Sequence, residues 1–361
     1  MGSEMCIRDS YGGIISGDVG NSLLLDGGGT IVLNGANTFD GPVRIRALKV
    51  RVSNSNALGV SPSLSDTITV YALCTLELTG GITIPKGINL AYATLASISG
   101  DNSCTRAVTI MSNSGGKSVI RSDANKLTLG AVTITTDGNA YLYENLYVDG
   151  PGDVTIAGII SSGSALVPQT AQLGKGDLVK DGVGTLTISG SENTYYGRTF
   201  INSGTVVIDR ETSLGSYPPT STKADSLVIH GTLLCSGGSD AAPVTLRSRR
   251  GVKLGSVASD GGAIAVSSGN GLAISGIIAN YATPNNLTNS GSGTLALWNA
   301  NTYAGKTIIT GGGTIKVGAE NSLGSPATSA SDSLTLDGGT LYATNTFTIP
   351  VSYTHLTLPT N

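Results

Sequence analysis

The chain is predicted to be all-β, a β-solenoid built as a single elongated stack of coils, and three features of the sequence point there. One unit recurs three times, apolar and polar residues alternate within it, and Gly, Asn, Asp, Ser and Thr fill the gaps where helix formers would otherwise stand. The units occupy residues 29–59, 184–215 and 293–324, and the second reads GTLTISGSENTYYGRTFINSGTVVIDRETSLG. Each opens on Gly-Thr and continues with two apolar residues two apart: Ile31 and Leu33, Leu186 and Ile188, Leu295 and Leu297. An Asn-Thr-aromatic triplet follows, at Asn37, Thr38 and Phe39, at Asn193, Thr194 and Tyr195, and at Asn301, Thr302 and Tyr303. Two residues after each aromatic stands a glycine, Gly41, Gly197 or Gly305. A second alternating run then leads to Leu58 and Gly59, Leu214 and Gly215, or Leu323 and Gly324. Alternation at a period of two is the strand signal, and the residues between the runs are turn formers, so each unit is expected to run strand, turn, strand, turn. So small a unit cannot bury both faces of its strands alone. Copies must stack on their neighbours to make a continuous core.

GTLTISGSENTYYG with INSGTVVI, and GTLALWNANTYAG with GGGTIKVG, resemble the autotransporter-associated β-strand repeat, also called the passenger-associated transport repeat. Residues 29–59 are a weaker copy, with Leu48 and Lys49 where the second copy has Gly204 and Thr205. The likeness extends beyond the units. Gly-Ile-Ile precedes each (Gly13, Ile14, Ile15; Gly158, Ile159, Ile160; Gly276, Ile277, Ile278), and an Asp with a short apolar strand follows each (Asp66, Asp225, Asp332). The resemblance implies a right-handed parallel β-helix in the exported passenger of a bacterial surface protein. It also implies a translocator β-barrel in the full-length protein, which this fragment does not contain.

Taken in order, residues 1–10 (MGSEMCIRDS) lack the apolar stretch of a signal peptide. They back-translate to a sequence resembling a transposase-based library adaptor, and residues 351–361 (VSYTHLTLPTN) resemble the same element on the opposite strand. Both ends are therefore expected to be adaptor read-through rather than native chain, which leaves residues 11–350 as the β-helix. The intervals between the repeats are expected to carry further coils, because alternating runs continue through residues 68–78, 126–136, 141–148, 227–234 and 263–274. At roughly 20 to 25 residues per coil the stack needs no internal boundary.

Composition supports a long β structure and limits the partners. Charged residues are 12% of the chain, against about 25% in ordinary soluble domains. A net charge of −3 gives no basic surface for nucleic acid, and no apolar run is long enough for a membrane-spanning helix. With Cys6 in the expected adaptor, Cys74, Cys104 and Cys235 remain, far apart and without a CxxC. They read as small buried residues, not as a zinc site or a disulfide framework.

The search for chemistry gives little, and no catalytic residue, metal or cofactor is assigned. Apart from His355 at the expected adaptor, His230 is the remaining imidazole. It stands where the third copy has Asp337, which reads as a solvated turn. Asp66, Asp225 and Asp332 repeat one position, as Asx turns would. Asp240, with Arg247, Arg249, Arg250 and Lys253 behind it, is a dense charged stretch that supplies one carboxylate where acid–base catalysis needs two. Trp298 is expected to be half exposed and could stack on a sugar. Thr-x-Thr pairs, such as Thr133 with Thr135, do not recur coil after coil, which argues against an ice-binding ladder. The repeat positions Asn37, Asn193 and Asn301 are expected to bond turn backbone, and Phe39, Tyr195 and Tyr303 to pack over the adjacent coil. The resulting expectation is a non-enzymatic stalk, at the bacterial cell surface or secreted by way of the periplasm, that assists its own export. An adhesin binding a glycan or host protein through edge loops such as 162–176 is the first alternative. A β-helix carbohydrate-active enzyme is the second.

Overall fold

The computed structural model describes residues 8–17, 20–61, 63, 65–111, 116–135, 144–162, 176–218, 221–255, 261–282, 284–325 and 333–347. Among these the regular structure is short β-strands, with two single-turn 3-10 helices at Glu211–Leu214 and Glu320–Leu323. The chain forms two compact units, Met1–Thr199 with Thr212–Ser216, and Phe200–Glu211 with Tyr217–Asn361. Each is a parallel β-helix.

In the first unit three parallel sheets grow one strand per coil. One runs through Thr30–Leu33, Lys49–Val52, Thr75–Thr79, Thr94–Ser99, Ser118–Ser122, Leu146–Asp149 and Leu178–Lys180, with Arg8–Tyr11 paired beside Thr30–Leu33. A second holds Thr83–Ile84, Asn102–Cys104, Lys126–Leu129, Asp153–Ile156 and Thr185–Ile188. The third begins at Leu23–Leu25 and Val43–Ile45 and ends at Val132–Ile134 and Ile160–Ser162. Register places like on like. Val43, Ile68, Ile88, Val108, Val132 and Ile160 form one inward column, and all are fully buried. Each such side chain contributes about 1.5–3 kcal/mol on burial. The strands owe their place in the stack to this column, since a slip of one residue would turn every apolar group outward.

The second unit is built the same way. Thr205–Ile208, Thr232–Cys235, Gly261–Val266, Asn286–Asn289, Thr307–Ile309 and Leu334–Leu336 make one sheet. Val244–Leu246, Gly271–Ile274, Thr294–Leu297, Thr314–Val317 and Thr340–Ala343 make another. Lys223–Ile229, Arg250–Leu254 and Ile278–Asn280 make the third.

Two sequence expectations change. The second alternating run of each repeat is two strands rather than one: Val43–Ile45 and Lys49–Val52, Thr199–Ile201 and Thr205–Ile208, Thr307–Ile309 and Thr314–Val317. Gly204 (φ 64°) and Gly311 (φ 72°) turn the chain between them, in a left-handed conformation that glycine adopts without strain. Coil length is also less uniform than expected. The step from Thr30 to its partner Lys49 is 19 residues, while that from Tyr147 to Val179 is 32. Register constrains the strands alone, so the connections are free to lengthen.

Candidate functional site

The feature common to the three repeats is a seam at which each coil is fastened to its neighbours. The Asn-Thr-aromatic triplet is extended, so its side chains alternate: the Asn and the aromatic point inward and are buried, and the Thr faces out. Asn37 Oδ1 accepts from Ile15 N of the preceding coil at 2.7 Å, and its Nδ2 donates to Ala57 O of the following one at 2.6 Å. Asn301 repeats this, accepting from Ile278 N at 2.8 Å and donating to Ser322 O at 2.6 Å. Asn193 accepts from Ile160 N at 2.7 Å, and its Nδ2 turns to Gly190 O at 3.4 Å. The carbonyls of Ile15, Ile160 and Ile278 accept from Thr38, Thr194 and Thr302 N at 3.0, 2.9 and 2.8 Å. Both backbone groups of the second Ile in each Gly-Ile-Ile are therefore satisfied from the next coil. A buried N–H left without a partner costs about 1–3 kcal/mol, so a two-sided Asn is well suited to the position.

The aromatics fill the space beside the seam. Tyr195 and Tyr303 hydroxyls pair with the buried Thr199 and Thr307 Oγ1 at 2.7 and 2.5 Å, and Thr307 donates on to Leu323 O at 3.1 Å. Burial pushes the Tyr303 phenol well above its ordinary pKa. In the first copy Phe39 has no hydroxyl, and Val43 stands where the others have Thr. The buried Lys86 ammonium lies 4.8 Å from the Phe39 ring centre and donates to Gly41 O at 2.6 Å. Burial lowers its pKa. The glycines set the spacing. A Cβ on Gly41, Gly197 or Gly305 would collide with the carbonyl of Asn21, Gly176 or Asn285 in the preceding coil. Gly59, Gly215 and Gly324 each follow a buried Leu, have φ of 80°, 74° and 92°, and lie against the aromatic of their own repeat. The next residue donates back to that aromatic's carbonyl at 2.9 Å in all three (Val60, Ser216, Ser325).

The strand preceding each repeat is also part of the seam. Leu23, Leu178 and Leu287 N donate to Pro42, Arg198 and Lys306 O, one coil on, at 3.0, 2.9 and 2.9 Å. In the second copy the buried Asp177 adds an ion pair with Arg198 at 3.1 Å. The same strand ends on Leu25, Lys180 or Asn289, five residues before the opening Thr in each copy. Lys180 is buried and caps the next turn through Asp181 O and Gly182 O, the latter at 2.7 Å. Burial lowers its pKa.

The remaining candidates scatter. His230 does not occupy a solvated turn. It is half-buried with Nε2 enclosed and unpartnered, edge-on to Tyr281 at 6.1 Å, and burial lowers its pKa. Asp240 pairs with Lys316 at 2.6 Å, away from the arginines that follow it in sequence. Those arginines are not uniformly solvated: Arg250 is 2% exposed and lies 3.6 Å from Glu211, which also binds Arg247 at 2.5 Å. Asp66 accepts from Ser63 N in a turn, Asp225 lies inside the strand Lys223–Ile229, and Asp332 lies outside the described residues. Cys74, Cys104 and Cys235 are buried and free, with the Cys104 thiol pushed up to about 12 by burial. Single hydroxyl rows do recur, as Thr83, Ser103, Thr128, Thr155 and Thr187 on the second sheet. Sequence-local Thr-x-Thr pairs could not disclose them. Among the described residues, no three or more His, Cys, Asp or Glu side chains converge as metal ligands would. Nor is any helix among them long and apolar enough to cross a membrane.

Sequence reasoning missed Lys86, Lys180, Asp177 and the Thr199 and Thr307 hydroxyls. The three copies held one signal for the last two: the residue two after the seam Gly is Val, Thr, Thr where the aromatic is Phe, Tyr, Tyr.

The passenger-associated-transport-repeat family model matches residues 23–47, 178–208 and 287–317. The chain carries three passenger-associated transport repeats. Each match begins six residues before the Gly-Thr opening, so the preceding strand belongs to the repeat, as its bond to the Pro42, Arg198 or Lys306 carbonyl shows on physical grounds. The chain is also 27% identical to the adhesin BmaC autotransporter of Brucella suis biovar 1 (strain 1330) over 366 positions. That alignment covers 87% of this chain and 10% of the relative, so this chain spans about a tenth of that protein's length. No solved structure matches. Passenger repeats of this kind make it a cell-surface or secreted protein.

Proposed function

We propose that this passenger-repeat segment is a non-enzymatic structural stalk that assists its own export by stacking coil on coil. The observation that carries the reading is the Asn relay, in which Asn37 and Asn301 each take a hydrogen bond from the coil before and give one to the coil after. A coil emerging at the cell surface meets a template whose Asn, Ile and Gly groups are already placed. Each set of bonds then formed opposes backward movement of the chain. In the full-length protein the route runs through the periplasm to a translocator β-barrel outside this segment, and residues 11–350 are taken as the native part between adaptor read-through at 1–10 and 351–361. On this reading Asn37, Thr38, Phe39 and Gly41, with their counterparts in the other two repeats, are structural positions and hold no cofactor.

The test is Asn193→Ala with Gly197→Val in the full-length protein, with intact passenger counted at the surface. Surface passenger is expected to fall while fragments accumulate in the periplasm. Unchanged surface amounts would overturn the reading. A second reading, adhesion, is favoured by the relative's name and by the 87% of this chain aligned to it. Of the edge loop offered for it on sequence grounds, residues 163–175 lie outside the described residues.

A further inference from the structure

The outer face of the sheet that carries the third repeat holds an aromatic and polar patch that stacking does not require. Outward residues occupy two adjacent columns there. One runs Ala273, Ala296, Lys316 and Tyr342, by register, and its two alanines are themselves buried. Trp298 stands one residue beyond Thr294–Leu297, on the same outward side as Ala296. The indole is 47% exposed and Tyr342 is 54% exposed. The neighbour of Trp298 one coil on is Gly318, whose Cβ position lies 3.8 Å from Trp298 Cε3, at ordinary van der Waals distance. Counting two strands and two residues between them, the Trp298 and Tyr342 α-carbons are offset by roughly 12 Å. That is about the length of two linked hexopyranose rings.

Polar groups flank the rings. Lys316 lies 5.6 Å from the Tyr342 ring centre and pairs with Asp240 at 2.6 Å. Asn345 donates to Gly318 O at 2.9 Å, beside Trp298. The set supplies hydroxyl donors and acceptors together, and the ion pair cancels its own charge. Apolar rings with a few placed polar groups and no net charge match the two-sided character of a sugar, whose C–H face stacks while its hydroxyls bond at the edge.

We propose that Trp298 and Tyr342, with Asp240, Lys316 and Asn345, form a binding platform for a neutral oligosaccharide. The proposal goes beyond the stalk reading and does not depend on how the segment is exported.

Trp298 is the sole tryptophan of the chain, so its fluorescence reports on the platform directly. The full chain is titrated with cellohexaose, chitohexaose and maltohexaose, each uncharged, and the affinity of any binder is then measured by calorimetry on variants. A saturable change in emission with at least one of the three is expected. Trp298→Ala and Tyr342→Ala should each weaken binding by about tenfold, and Trp298→Phe should keep most of it. Melting temperature should be unchanged, because the side chains removed are half exposed. Thr128→Ala, on the other unit, should bind as the parent does. No saturable change with any probe would overturn the proposal, as would binding that survives Trp298→Ala. Binding confined to a sulfated oligosaccharide and abolished by salt would overturn it too, since that marks an electrostatic surface rather than a stacking one.

Discussion

Two residues carry the contrast between the repeats: the ring at the seam and the side chain four positions on. Tyr195 with Thr199 and Tyr303 with Thr307 each close a buried hydroxyl pair, whereas Phe39 with Val43 dispenses with hydroxyls altogether. Removing one partner strands the other, while removing both leaves a well-packed apolar contact. Tyr195→Phe or Thr199→Val alone should therefore cost about 1–2 kcal/mol in denaturant unfolding, and the double variant should recover part of it, with a coupling of about 1 kcal/mol. Strict additivity would mean that the hydroxyls do not interact. His230 makes a second residue-scale prediction. Its folded pKa lies below 6.5 because burial disfavours the charged ring, so the unfolded chain takes up the proton first. This contribution to stability is intact above the unfolded pKa and is lost as pH falls below it, down to the folded value. Between about pH 7.5 and about pH 5 the melting temperature of the parent should drop more than that of His230→Phe. Equal slopes would show that His230 is solvated. The His230 prediction could not be made from sequence, because its surroundings depend on which residues the coils place side by side, whereas the match of Tyr to Thr stands in the three copies themselves.

Strands gain their stability as columns, and the exceptions in a column are informative. In the second unit Val206, Leu233, Ile264, Asn289 and Ile309 lie in register, and Asn289 is fully buried with neither its amide oxygen nor its nitrogen hydrogen-bonded. The first repeat has Leu25 at the same position. Asn289→Leu is expected to raise stability by about 1–3 kcal/mol, since it removes two unpaired polar groups and completes the column. A loss of stability would show that the amide is needed there. Asn301 is the opposite case, because both its atoms are in use. Asn301→Ala should cost about 3 kcal/mol, seen as a lower denaturant midpoint at constant slope, by leaving Ile278 N and Ser322 O unpaired. What the sequence discloses at this scale follows from periodicity. Alternation located the strands, and the spacing of Asn, aromatic and Gly located the seam, because those patterns are local. The division of the second run into two strands rests on a turn that Leu48 disguises in the first copy; Lys180 caps carbonyls one and two residues on, and Lys86 caps one that is 45 residues away. Nothing near Lys86 in the chain marks it as internal.

At the scale of the whole molecule, the proposed stalk role rests on repetition rather than on one site. Asp240 pairs with Lys316 while Arg247 and Arg250 behind it go to Glu211, so the charged stretch divides rather than converging on an acid–base pair. What recurs in all three copies is the Asn-centred fastening of coil to coil, built from uncharged groups, so its strength should vary little with ionic strength, the Asp177–Arg198 pair of the second copy apart. The repetition was legible from three copies in one chain, while the coil lengths, from 19 to 32 residues, were not, because connections are unconstrained by register. The account's central claim is that seam formation drives the chain outward. It is tested most directly by pulse–chase export of the full-length protein carrying Asn37→Ala, Asn193→Ala and Asn301→Ala together, beside a control with Thr128→Ala and Thr155→Ala on an outward row. The account predicts that the triple variant reaches the surface markedly more slowly than the parent, and that the control keeps the parental rate. Export of the triple variant at the parental rate, with its coils shown to be destabilised, would contradict it.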